Sequence, residues 1–352
     1  MSIDASTVVA KTREYLRQPA VVGHEQPFFD HLEREFSELG CEVERHDNLL
    51  AVWRDGTRPQ TLSVHIDRHG LVGTGGGEYE YAAFVARLGS SQEEHQASRK
   101  MLEKIRDRFL NEEVFAYVAQ SGEILEQGKI GEAYFCGHRL NLVFQIDGFE
   151  NLPIGTPVAF SPLCQIGEER LTGQLDNVIS AAFVYVLFAL GFTGRALFTA
   201  EEEIGKSWTF ALDYLTQIGS QSQELLVMDT SPFPDEEAIL EGAVVLRNRD
   251  ANGMFNAELV ARTRAICTAE GIPFKVKDEI ILAQNLERES QGMKPLGLGS
   301  TELGRLVTGS KGQLNGITLQ LPTFGYHSNR ETTSYLAVAN LLKLLSRVLN
   351  LA

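Results

Sequence analysis

The chain has 352 residues and carries 32 lysines and arginines against 47 aspartates and glutamates, a formal charge of −15. Hydrophobic residues at 43% and charged residues at 22% are those of a folded globular protein, which excludes bulk disorder, collagen-like repeats and a disulfide scaffold. The acidic surplus argues against nucleic acid or an anionic membrane as the main partner, and the length suits about two domains.

The first residues, Met1 to Arg17, lack the basic start and apolar run of a signal peptide. The longest apolar stretch, Val178 to Phe192, falls short of the ~20 residues that span a bilayer and reads as a buried helix. Cys41, Cys136, Cys164 and Cys267 are scattered and form no CxxC pair, which suggests reduced thiols and a cytoplasmic protein.

Residues 4–40 read as helix, loop and helix. The second helix has Phe28, Leu32, Phe36 and Leu39 on one face, and Gly40 stops it. Leu49 to Trp53 and Leu62 to Ile66 read as strands separated by the turn Asp55-Gly56-Thr57. The texture changes over 71–165. This segment opens on Gly73 to Gly77, where no Lys-Ser/Thr follows to make a phosphate loop, so the glycines read as a flexible hinge. The charged stretch Ser90 to Glu113 has helical spacing at Met101, Ile105 and Phe109, and it reads as a solvated arm or a contact between subunits. Short β-like pieces follow at Ala133 to Cys136 and Leu140 to Ile146.

From 172 onward helices and strands alternate. Val178 to Leu190 reads as a helix, Arg195 to Thr199 as a strand and Ser207 to Ile218 as a helix. Leu225 to Met228 is a strand, Ala257 to Glu270 a helix and Phe274 to Val276 a strand. Ile317 to Leu321 is the last strand and Thr332 to Leu349 the closing helix. The alternation implies an α/β fold with a mostly parallel sheet covered on both faces.

Ligands of such sheets bind beyond the carboxyl ends of the strands. His65 and Asp67 follow the strand at 62, Glu202 and Glu203 follow the strand at 195, and Asp229 follows the strand at 225. His327 lies beyond the last strand, and Asp176 stands at the start of the apolar helix. Singly, each has an ordinary reading as a turn, a helix cap or a loop residue. Jointly, two histidines and several carboxylates without cysteine suit a pair of divalent cations such as Zn²⁺, Co²⁺ or Mn²⁺. A two-metal site needs one shared carboxylate and one uncoordinated carboxylate to take a proton from water. The adjacent Glu202 and Glu203 offer one base and one ligand. Asp67, two residues from His65, is placed to orient its imidazole. His69 is close enough to His65 to approach the site, though it reads first as a loop residue, and His24 reads as structural. Arg247, Asn248 and Arg249 read either as ordinary surface residues or as partners for a substrate carboxylate.

These residues carry a resemblance. His65-Ile66-Asp67-Arg68-His69-Gly70 resembles an H-x-D-x-x-G motif, Leu175-Asp176-Asn177 an L-D-N/D motif, and Thr199 to Gly205 a T-x-Q-E-E-V-G motif. Gly155-Thr156-Pro157-Val158 resembles the close of an inserted domain, and Leu321-Pro322 through His327, Ser328 and Glu331 a P-x-R-Y-x-H-S-x-x-E motif. Their order, with the insertion between His65 and Asp176, is similar to that of the tetrahedral (TET) and glutamyl aminopeptidases, a family of dinuclear metallo-aminopeptidases.

The resemblance implies a three-layer α/β/α catalytic domain over 1–70 and 166–352. It also implies a smaller, mainly β, PDZ-like dimerisation domain over 71–165. It implies two divalent metal ions per subunit, with Asp176 bridging, His65 and Asp229 on one ion, and Glu203 and His327 on the other. Glu202 is implied as the general base, with Asp67 supporting His65, and a metal-bridging hydroxide as the nucleophile. The substrate implied is a short peptide cleaved at its N-terminal bond by a homo-oligomer. The chain departs from the family at Glu201, Lys206-Ser207-Trp208, Val178, Phe324 and Thr301-Glu302-Leu303. None of these is an implied ligand. They motivate a second reading, a dimetal amidohydrolase or deacylase for a specialised small amide; a non-catalytic assembly subunit is a third.

Overall fold

The computed structural model describes residues 4–54, 60–88, 99–139, 141–167, 169–234 and 236–351. The turn expected at Asp55-Gly56-Thr57, and the first part of the charged stretch expected from Ser90, lie outside these residues.

Among the described residues the main sheet has eight strands. Their order is Glu42–His46, Leu49–Trp53, Arg195–Thr199, Thr61–His65, Leu225–Pro232, Gly316–Thr323, Val244–Leu246 and Phe274–Val276. The centre is parallel: Arg195–Thr199, Thr61–His65, Leu225–Pro232 and Gly316–Thr323 run the same way. The flanks are mixed. Leu49–Trp53 pairs antiparallel with both of its neighbours, and Val244–Leu246 meets Gly316–Thr323 antiparallel but Phe274–Val276 parallel. Among the described residues the sheet is therefore mixed but mostly parallel, as expected, with four of its seven pairings parallel. The reason lies in the connections. The short hairpin between Glu42–His46 and Leu49–Trp53 can only reverse the chain, whereas the central strands are joined through helices.

Every residue of Thr61–His65 and of Gly316–Thr323 is buried, because helices cover both faces in an α/β/α arrangement. Val178–Ala189 packs on the central strands, buried almost all round, and Ala5–Tyr15 packs over it in turn. Tyr335–Val348 also lies on the sheet, while Ser207–Gln217 and Glu302–Gly309 pack against each other and against sheet strands. Among the described residues no helix is long and apolar enough to cross a membrane. The four cysteines are all free.

The segment from Leu71 to Phe160 forms a closed barrel of six strands, with its own apolar core around Tyr79, Ile130, Phe144 and Phe149. The glycines at 73–77 are not a hinge. They belong to a hairpin of the barrel, Leu71–Gly75 against Glu78–Tyr81, and Gly75, Gly76 and Gly77 all have positive φ. Such a turn between paired strands needs left-handed backbone, which glycine adopts without a Cβ penalty. The helix expected from the charged stretch forms over Arg99–Phe109. Its buried residues are Leu102, Ile105 and Phe109, so Met101 is displaced to the exposed side. Phe109 stacks on Phe160 at 4.7 Å between ring centroids and fastens this helix to the barrel.

A third, small sheet consists of Cys164–Ile166, Arg170–Gly173 and Glu331–Ser334, all antiparallel. It pairs Gly173 with Glu331. This pairing, which the sequence did not suggest, places Glu331 next to the Asp176 loop.

Candidate metal centre

The parallel strands of the sheet's centre end at one edge, and the loops and turns that leave them there build the centre. Parallel pairing sets Thr199 opposite His65, so both strands end at the same level. The chain then runs from Thr199 into the short 3-10 turn Glu202–Ile204, entered through Glu201 at φ +58°. A left-handed glutamate is uncommon and must be held by its surroundings. Asp67 holds it: its Oδ1 accepts from the Glu202 N–H (2.9 Å) and its Oδ2 from the Glu203 N–H (3.0 Å). Asp67 is wholly buried, and its Oδ1 lies 3.5 Å from His65 Nδ1. One carboxylate therefore contacts the His65 ring and also fixes the turn that carries both glutamates. The second of these tasks was not foreseen from the sequence.

Asp229 lies inside its strand, Leu225–Pro232, rather than after it, and its Oδ1 is 3.5 Å from His65 Nε2. Asp176 precedes the helix Val178–Ala189, and its neighbour Asn177 donates from Nδ2 to the Met228 carbonyl at 2.9 Å. That bond ties the Asp176 loop to the strand bearing Asp229. The two oxygens of Asp176 then face two ways: Oδ1 is 3.3 Å from His65 Nε2, and Oδ2 is 3.7 Å from His327 Nε2. His327 Nε2 is 3.6 Å from Glu203 Oε2. Glu331, wholly buried, accepts from the Asp176 N–H at 2.8 Å and from the His327 N–H at 2.6 Å. It pins the loops of two expected ligands with one side chain.

All five expected ligand residues thus converge. Two groups have ligand atoms within 4.8 Å of one another: His65, Asp176 and Asp229, and His69, Glu203 and His327. The second group includes His69, for which the sequence left two readings open, an approach to the site or a loop histidine. Its Nε2 lies 2.9 Å from Glu203 Oε2, its ring centroid is 4.0 Å from that of His327, and its Nδ1 is 2.6 Å from the Tyr81 hydroxyl. Its position four residues after His65, at the same strand end, was the available signal. Of the two adjacent glutamates, Glu203 belongs to one group and Glu202 to neither. Arg247 donates to Gln320 Oε1 (3.0 Å) and to the Leu298 carbonyl (2.7 Å), so its contacts lie within the protein. A third cluster, Glu14, His31 and Glu35, differs because Lys11 bridges both of its carboxylates.

The centre is electrically unbalanced. Burial, and then the neighbouring carboxylates, push Glu203 well above the usual carboxylate range. Glu202 is pushed well above it too, mainly by burial, with His65 partly opposing. Burial raises Asp229 and Glu331 as well. Burial disfavours charge on His65, but Asp176, Asp229 and Asp67 outweigh it and raise its pKa well above the ordinary value. Burial takes His69 down to about 3 and His327 well below its usual range, which favours the neutral form of both rings. Neutral imidazoles facing crowded carboxylates are the donors a divalent cation needs. His69 Nε2 and Asp176 Oδ1 also lack any aligned hydrogen-bond partner, which is costly for buried polar atoms unless another group meets them.

The whole chain has the fold of solved TET aminopeptidases. TET aminopeptidase from the marine sediment archaeon Thaumarchaeota archaeon SCGC AB-539-E09 superposes with a TM-score of 0.70 at 14% identity, covering 99% of this chain and 97% of that one. Aminopeptidase APDkam598 from Desulfurococcus kamchatkensis gives 0.69 at 14% identity, with 97% and 94% covered. TET1 peptidase of Pyrococcus horikoshii, which can assemble into a tetrahedron or a large octahedral shell, gives 0.67 at 16% identity, with 96% and 98% covered. No family model matches the sequence, and none of the curated proteins matches it.

Proposed function

We propose that the protein is a metal-dependent aminopeptidase that hydrolyses the N-terminal bond of short peptides. The observation that carries this reading is the Asp176 carboxylate, which faces His65 through one oxygen and His327 through the other. His65 and Asp229 would hold one divalent cation, Glu203 and His327 a second, with Asp176 shared. Bound there, such ions supply Lewis acidity and lower the pKa of water.

The chain's own residues would do the rest. Glu202, outside both ligand groups and with its pKa raised by burial, is suited to take a proton from the attacking water and return it to the leaving amine. Asp67 keeps the Glu202–Ile204 turn and the His65 ring in register, and Glu331 does the same for Asp176 and His327. In this reading residues 1–70 and 166–352 form the catalytic unit and 71–165 an inserted unit. The chain works as a homo-oligomer, as the assemblies formed by the Pyrococcus horikoshii relative suggest. Free thiols fit a reducing, cytoplasmic setting.

The test joins metal quantification to a screen of aminoacyl-anilides and short peptides, with and without chelator. Two ions per chain and chelator-sensitive cleavage are expected. Bound metal without cleavage of any peptide favours instead an amidohydrolase for a specialised small amide. That reading is suggested by the ion pair of Lys206 with Glu201 (3.0 Å) beside Glu202.

A further inference from the structure

We propose that His69 is a third protein ligand of the Glu203–His327 pole, making that pole a closed, four-ligand metal site with Asp176 while the His65–Asp229 pole stays open. The inference rests on the metal reading above and adds a residue and an asymmetry to it.

Three observations support it. His69 is 5% exposed, yet its Nε2 has no aligned hydrogen-bond partner among the described residues, although Glu203 Oε2 is only 2.9 Å away. A buried ring nitrogen that faces a carboxylate without an aligned hydrogen bond is costly unless another group meets it. Two of the three separations also suit a cation, while that of His69 from Glu203 is shorter and would have to widen. Metal bonds of about 2.0–2.2 Å set tetrahedral ligand atoms roughly 3.3–3.6 Å apart. The separations at this pole are 2.9 Å (His69 to Glu203), 3.6 Å (His327 to Glu203) and 3.7 Å (His327 to Asp176).

Finally, the ring is held from behind. Its Nδ1 is 2.6 Å from the Tyr81 hydroxyl, and its backbone carbonyl accepts from Gln174 Nε2 at 2.9 Å. With the proton on Nδ1 donated to the Tyr81 oxygen, the Nε2 lone pair is free to bind metal, the usual support of a ligating histidine. Tyr81 comes from the barrel's strand Glu78–Tyr81, so the inserted unit would help to shape the metal site.

Two histidines and two carboxylates make a closed set typical of firmly held zinc. His65, Asp176 and Asp229 supply three ligands and leave a position for water or substrate. The poles should therefore fill in sequence. The experiment titrates zinc into metal-stripped protein by calorimetry, and records zinc X-ray absorption at one ion per chain. Unsubstituted protein, His69→Ala, His69→Gln and Tyr81→Phe are compared, each checked for folding by circular dichroism before metal is added.

The expected result is two unequal binding steps and two imidazoles around the first zinc. In His69→Ala and His69→Gln one imidazole disappears and the tight step weakens about tenfold or more. Tyr81→Phe keeps both imidazoles but weakens the same step to a lesser degree. Two imidazoles and an unchanged tight step in both His69 variants would overturn the role of His69 while leaving the two-metal reading intact. If unsubstituted protein binds no zinc, the underlying reading fails with it.

Discussion

Glu202 and Glu203 are neighbours in the chain and share the turn Glu202–Ile204, but only Glu203 joins a group of ligand-type side chains. Glu203 faces His69 and His327, and Glu202 does not belong to that group. Glu202→Gln is therefore expected to lower kcat about 10²- to 10⁴-fold while leaving the metal content of the purified protein unchanged. Steady-state kinetics and metal analysis on one preparation check both halves. Glu331 makes a different prediction. Both of its oxygens accept backbone N–H bonds, so Glu331→Gln turns an NH₂ toward one of two donors and leaves that amide unpaired. Metal affinity should fall roughly 10- to 100-fold, with loss of activity that excess metal restores. Competition with a chelating dye measures it. At this scale the sequence was legible where a side chain stands at or just beyond the end of a strand, as with His65 at the end of Thr61–His65 and Glu203 in the turn after Arg195–Thr199. His69 was less legible, because its place depends on how the chain turns after Asp67 to meet Tyr81.

Among the elements, most strands and helices follow from apolar periodicity; Leu49–Trp53, Arg195–Thr199, Ala257–Glu270 and Phe274–Val276 form within the expected limits. The glycine run at 73–77 misled because glycine serves hinges and tight hairpins alike, and only the pairing of Leu71–Gly75 with Glu78–Tyr81 separates the two. Strand direction was partly hidden too, since a run of apolar residues looks the same in parallel and antiparallel pairs. The central parallel pairing has a sharp test at Gly316. A Cβ there would lie 1.9 Å from the Leu225 backbone carbonyl oxygen of the neighbouring strand, where no flexible side chain can give way. Gly316→Ala should destabilise the fold by about 3 kcal/mol, read from the urea midpoint, and lower the yield of soluble protein.

For the whole molecule, a formal charge of −15 on the chain includes Asp67, Asp176, Glu202, Glu203, Asp229 and Glu331, gathered at one sheet edge. Divalent cations binding only the folded state would stabilise it by about 2.7 kcal/mol at a hundredfold excess over Kd. Stripping metal with a chelator should then lower Tm, and adding zinc back should restore it, as calorimetry can show. The sequence by itself determined the α/β class, the change of texture over 71–165 and the placing of histidines and carboxylates near strand ends. Those features are written locally, in periodicity and in the residues just beyond each strand. The tertiary structure alone decided that Glu331 pairs across a small sheet to hold two loops, that the inserted segment closes into a barrel, and that its Tyr81 reaches His69. Each of these depends on contacts between residues far apart in the chain, which no local pattern encodes.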